Sequence, residues 1–162
     1  MEARPLPRKI KVRLADTRRH YRALVLGLDT VSADEFARAA REGDTESLTR
    51  TVYPIERAFE VVVNYVAELV ALWLAEAGLP ASSGPDDLRR LEAEGVIARA
   101  RRDNLTRIHR VRNELAHEYP DVRARSVYEA AQLLAAELPG FFREYAAWMR
   151  KLGFGQQPSP SA

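Results

Sequence analysis

The sequence predicts an all-α protein, an up-and-down bundle of about four main helices with short helices between them, and three observations carry that prediction. Apolar residues return every three or four positions through several long stretches. No stretch shows a convincing two-residue alternation of the kind that marks a half-buried strand. Glycine and proline fall between the periodic stretches, where helices must stop. With 162 residues, 46% apolar and 30% charged, the chain has the makeup of one globular domain. A chain of that length buries about two thirds of the surface its unfolded form exposes. We place the domain at residues 1–152 and expect the polar, proline-rich tail 153–162 to be disordered.

The first helix is expected from about Arg8 to Leu28, with Ile10, Leu14, Tyr21, Leu24, Val25 and Leu28 at helical spacing. Ser32-Ala33-Asp34-Glu35 has the pattern of a capping box, in which hydroxyl and carboxylate satisfy free backbone donors at a helix start. A short helix through Phe36 and Ala40 then ends at Gly43. From Leu48 a seam of Val52, Ile55, Phe59, Val62, Val66, Leu69 and Trp73 alternates steps of four and three. Pro54 should kink this helix or mark its first turn, and Gly78 with Pro80 closes it. Asp86 or Asp87 is expected to cap a short helix carrying Leu88 and Leu91 to Gly95. A fourth helix runs from about Ile97 to Tyr119 and stops before Pro120. Asp121 is expected to cap the last, with Val127, Leu134, Leu138, Phe141, Tyr145, Trp148 and Leu152 on its apolar face and a bend at Pro139-Gly140.

Several function classes drop out on composition. The chain has no cysteine, which excludes disulfide scaffolds, thiolate metal sites and cysteine nucleophiles and makes the cytoplasm the default location. The most apolar stretch, Val61 to Ala77, is interrupted by Asn64, Glu68 and Glu76, so a buried helix is expected and no membrane span. Met1-Glu2-Ala3-Arg4-Pro5 lacks the apolar core of a signal peptide. The net charge is only +2, yet arginines are dense between Arg89 and Arg125. Arginine offers a planar fork suited to phosphate, but acidic neighbours offset the stretch, and on charge alone a solvated helix face is the favoured account of it.

The fourth helix carries the anomaly. Leu105, Ile108, Val111 and Leu115 gather on one stripe, and Arg112 and Tyr119 fall on it too. A guanidinium on a core-facing stripe needs a carboxylate, a phosphate or a wet cleft. It is either paired structurally, with Glu56, Glu60 or another acid, or held for a ligand. His117 brings an imidazole able to exchange protons near neutral pH. Five residues separate it from Arg112, about 140° on a straight helix. The two converge only if the helix turns before Pro120 or if two copies meet across a two-fold axis. Asn113 is four residues from His117 and can orient the ring or hold a phosphate oxygen. Tyr119 reads equally well as a packing residue with a satisfied hydroxyl. His20 and His109 receive no catalytic role, and the histidine spacing of a zinc site is absent, so no metal or cofactor is expected.

Arg112-Asn113-Glu114-Leu115-Ala116-His117-Glu118-Tyr119 resembles the arginine, four residues, histidine, one residue, tyrosine motif of HepT-type HEPN toxins. Val52-Tyr53-Pro54-Ile55-Glu56-Arg57-Ala58-Phe59-Glu60 is similar to the proline-containing start of that family's long second helix, and the resemblance is strongest over 48–152. It implies a HEPN-like helical homodimer, a toxin that cuts RNA without a metal and is held in check by a cognate minimal nucleotidyltransferase (MNT) antitoxin. His117 is then the acid/base and Arg112 the group that binds and stabilises the scissile phosphate, supported by Asn113. Tyr119 is the hydroxyl that the antitoxin adenylylates. Arg102, Arg107 and Arg110 are the candidates for guiding the RNA backbone. RNA supplies its own 2′-hydroxyl nucleophile, so a proton shuttle and a cation suffice. Two other readings stand beside this one: a non-catalytic helical module that binds a nucleotidyltransferase or its substrate, and a general single-stranded RNA binder, which the lack of aromatics between Arg89 and Arg110 disfavours.

Overall fold

The structure, a computed structural model, describes residues 3–82, 84–115 and 123–155. Its helices are α1 (Arg8–Thr30), α2 (Ala33–Glu42), α3 (Thr45–Ser47), α4 (Tyr53–Glu76), α5 (Pro85–Ala93), α6 (Arg99–Leu115) and α7 (Arg123–Lys151), and a π-helical turn, Leu48–Val52, joins α3 to α4. Among the described residues no strand forms; Arg4 and Phe154 make an isolated bridge. The all-α bundle expected from the periodicity is the fold observed.

The caps follow the sequence at α2. The Ser32 hydroxyl accepts from the Glu35 N–H at 3.2 Å, and the Glu35 carboxylate accepts from the Ser32 N–H at 2.8 Å. Those bonds hold the Glu35 carboxyl below its ordinary pKa. Gly43 ends the helix at φ +64°, a conformation that favours glycine. At α5 the expectation fails. The helix starts at Pro85 behind Gly84, and neither Asp86 nor Asp87 caps it. Proline at the first helical position has no N–H to satisfy and a preset φ, which moves the start upstream of both aspartates. Asp87 is instead buried, where its carboxylate accepts from the Ser82 N–H at 2.7 Å and hydroxyl at 2.8 Å and pairs with Arg90.

Pro54 acts as a first-turn residue of α4 and not as a kink inside it. It cannot donate to the carbonyl four residues back, and the preceding turn is wide, with the Tyr53 N–H reaching Leu48 O. All of the seam from Val52 to Trp73 is buried, and so are the neighbouring Val61, Val63, Val70 and Leu74. α4 is therefore packed on most sides, against α1, α5, α6 and α7. Thr45–Glu76 is long and apolar enough to cross a membrane, but over half of its most apolar window is buried inside this bundle. Its apolar surface is used for packing, at about 1.5–3 kcal/mol for each fully buried large side chain. α1 comes close to α4 at Gly27, where a Cβ would lie 2.9 Å from Ile55 Cγ1.

α7 runs without interruption through Pro139. Proline has no N–H for the carbonyl of Ala135, and the Tyr21 hydroxyl of α1 donates to that oxygen instead, at 3.4 Å. One turn away, Arg101 of α6 lies against Gly140, where any Cβ would collide with its guanidinium. Arg101 grips Glu144 with two bonds, 3.0 and 2.9 Å, and donates to both the backbone carbonyl and the carboxylate of Glu137. Asn104 donates to the other Glu137 oxygen at 2.8 Å. This bidentate, partly buried network fixes α6 on α7.

The tail boundary moves. Gly153, Phe154 and Gly155, expected to be disordered, pair with Arg4: its N–H donates to Gly153 O at 2.9 Å, and the Gly155 N–H donates to Arg4 O at 3.1 Å. Phe154 is 5% exposed, and the Arg4 guanidinium lies 4.3 Å from its ring centre. A single buried aromatic supplies enough apolar area to order a short segment that is otherwise glycine. Residues 116–122 and 156–162, with the expected stop at Pro120 and cap at Asp121, lie outside the described residues.

Candidate functional site

The site is built on α6. Leu105 and Ile108 are buried, and Val111 and Leu115 pack against the core cluster, so the stripe read from the sequence does face inward. The helix is held at one end by the Arg101 network and along its length by this stripe, leaving its last turn to present Arg112 and Asn113.

Arg112 is partly buried on that stripe. Its Nη1 donates to the Asn113 Oδ1 at 3.2 Å. Its Nε is buried and has no hydrogen-bond partner among the described residues. Among the described residues Arg112 forms no ion pair with Glu60. Buried arginine nitrogens normally find partners, because the cost of stripping water from a charged group is several kcal/mol. The Nε of Arg112 is thus left without such a partner within the described residues. The charge does gain from its position in the last turn of α6, where the helix dipole favours a cation by about 0.3–1 kcal/mol.

Of the remaining sequence-derived candidates, Asn113 is exposed and serves as the partner of Arg112. His117 and Tyr119 lie outside the described residues. Arg107 and Arg110 are exposed on α6 and make no ion pair among the described residues. Arg102 differs: it contacts Glu92 at 2.7 Å and Asp103 at 3.2 Å, so its charge is already matched within the fold. Among the described residues no group of three or more His, Asp or Glu side chains is placed to hold a metal ion.

The chain matches the family described as Ribonuclease HepT-like over residues 30–144. It belongs to the HepT-like ribonuclease family. The match takes in α2, α4, α5, α6 and much of α7 and begins upstream of Leu48, where the sequence resemblance is strongest. No curated protein and no solved structure matches the chain.

His109, which the sequence gives no catalytic role, lines a groove beside Asn113. His109 sits one turn before Arg112 and is partly buried. Burial, and then the neighbouring Arg112 charge, hold its pKa below the ordinary histidine value, so the imidazole is kept neutral. It lines a small, mostly apolar cavity of ≈ 30 Å³ between α4, α5 and α6, together with Val66, Leu88 and Leu105. It also opens onto a groove of ≈ 410 Å³ between α5 and α6, walled by Pro85, Arg89, Thr106, Arg110, Asn113 and Glu114. The available signal was spacing: Thr106, His109, Arg110 and Asn113 fall on one face of a helix.

Proposed function

We propose that this HepT-like protein is the toxin of a HEPN/MNT toxin-antitoxin pair, a cytoplasmic endoribonuclease that works without a metal as a homodimer. The observation that carries the reading is Arg112, a partly buried guanidinium on the core stripe of α6 whose Nε has no hydrogen-bond partner among the described residues. Such a fork is suited to a phosphate, and the negative charge that builds on phosphate oxygens during cleavage is the charge it can stabilise. Membership of a family described as ribonuclease supports the same direction.

In this reading His117 takes the proton from the 2′-hydroxyl or returns one to the leaving 5′-oxygen. Arg112 holds the phosphate between them, and Asn113 keeps the guanidinium turned toward it. The cleavage needs only this proton traffic, because the attacking oxygen belongs to the RNA. The five-residue separation of Arg112 and His117 is best met by a composite cleft, two copies of the motif facing each other across a two-fold axis. Adenylylation of Tyr119 by the nucleotidyltransferase antitoxin would add bulk and negative charge beside Arg112 and close the cleft to RNA.

The test is cleavage of mixed cellular RNA by purified protein in excess EDTA, with His117→Ala as the control and both proteins confirmed folded and dimeric. Cutting by wild type and a loss of about 100-fold or more in the variant is expected. An intact mass read beforehand excludes protein already modified. No cutting by unmodified wild type would leave the non-catalytic, nucleotidyltransferase-binding module as the function. For the switch, incubation with ATP and a cognate nucleotidyltransferase should add adenylyl groups to wild type and not to Tyr119→Phe; modification of the variant would refute it.

A further inference from the structure

The groove between α5 and α6 contains polar groups that the fold leaves unused. The His109 imidazole makes no hydrogen bond with any described residue, although it is partly buried and neutral. A neutral imidazole has one donor and one acceptor to satisfy. The Thr106 hydroxyl is also without a hydrogen-bond partner among the described residues, unlike Thr17 and Thr30, whose hydroxyls donate to carbonyls one turn back. Arg110 has no ion pair there, and Arg89 has only a solvent-exposed contact to Asp86 at 3.1 Å. An exposed pair of that kind is worth at most about 1 kcal/mol and yields readily to a phosphate. Glu114 is the acid on this wall, and it repels anions from its own end of the groove. Asn113 belongs to this groove and to Arg112 at once.

We propose that this groove is a nucleotide subsite next to the scissile phosphate, in which Arg89 and Arg110 hold a flanking phosphate of the RNA strand while His109 and Thr106 hydrogen-bond its base or ribose. The inference rests on the ribonuclease reading for its ligand and concerns a different set of residues. The groove, ≈ 410 Å³ and open to solvent, has room for part of a nucleotide lying along the surface. His109 lines the groove and offers a base a hydrogen-bonding edge. The arrangement favours single-stranded RNA, whose bases are free to enter a groove.

The probe is a short 2′-O-methyl oligoribonucleotide, which binds but cannot be cut at the 2′-oxygen. Its Kd is measured for wild type, Arg110→Glu and His109→Gln, with circular dichroism checking the fold, and the His109 ring signals are followed by NMR during titration. Arg110 is exposed and glutamine keeps a donor and an acceptor near the His109 position, so both variants should fold. A tenfold or greater rise in Kd for Arg110→Glu, a rise of about threefold or more for His109→Gln and a shift of the His109 signals are expected. Kd values within twofold of wild type in both variants, or no binding by wild type, would overturn the subsite. Cleavage of the unmodified strand by wild type judges the ribonuclease reading separately: cutting with unchanged affinity in the variants retains that reading and removes the groove, whereas groove-dependent binding without cutting does the reverse.

Discussion

Arg112 is conspicuous in the sequence because it breaks an apolar stripe, and the fold sharpens the anomaly by leaving its Nε buried without a partner among the described residues. A residue held for a ligand contributes little to stability, since desolvation offsets what the helix dipole gains. Arg112→Met, which keeps the length and loses the charge, should therefore unfold within about 1 kcal/mol of wild type in urea and should abolish RNA cleavage. A loss of about 3 kcal/mol or more would instead identify Arg112 as a structural ion whose partner the change had stranded. His109 could not be weighed in the same way from the sequence. Its importance comes from α5 passing beside α6, and α5 is contributed by residues about twenty positions earlier in the chain with no local pattern in common. Local spacing shows which side chains share a face; it does not show what that face meets.

At the scale of elements, the features legible in advance were those that depend on neighbours in sequence. The capping box at Ser32 and the stop at Gly43 are local hydrogen-bond and φ requirements, and both appear as written. The start of α5 departs from expectation because Pro85 sets it ahead of both aspartates, and Ser82, five residues back, engages Asp87. At Pro139 the helix continues, and the carbonyl that proline leaves unserved is met from α1. That compensation predicts a coupling. Tyr21→Phe should cost about 1 kcal/mol in wild type by stranding the Ala135 carbonyl, and close to nothing in Pro139→Ala, where a backbone N–H serves that oxygen. Equal costs in the two backgrounds, measured by denaturant unfolding of all four proteins, would show that the tyrosine contact is incidental to the proline.

For the whole molecule, the class and the central place of the Leu48–Trp73 seam were legible because burying α4 requires apolar residues nearly all round it. The extent of the folded unit was not, because composition treats Gly153-Phe154-Gly155 as part of a polar tail while a single aromatic decides their fate. Phe154→Ala should destabilise the bundle by about 3 kcal/mol, read as a lower urea midpoint with an unchanged slope. A change under 0.5 kcal/mol would return these residues to the tail.

The clasp between Arg4 and Gly153 to Gly155 has a topological consequence. The backbone nearly closes on itself, so the described chain is a ring in space though linear in covalent structure. Closing a loop of such length in the unfolded chain has an entropic cost, and the native clasp bears it without a covalent bond. A short peptide joining the two ends would remove that cost beforehand, and the order in which the helices are written along the gene could then be rotated without moving one of them in the bundle.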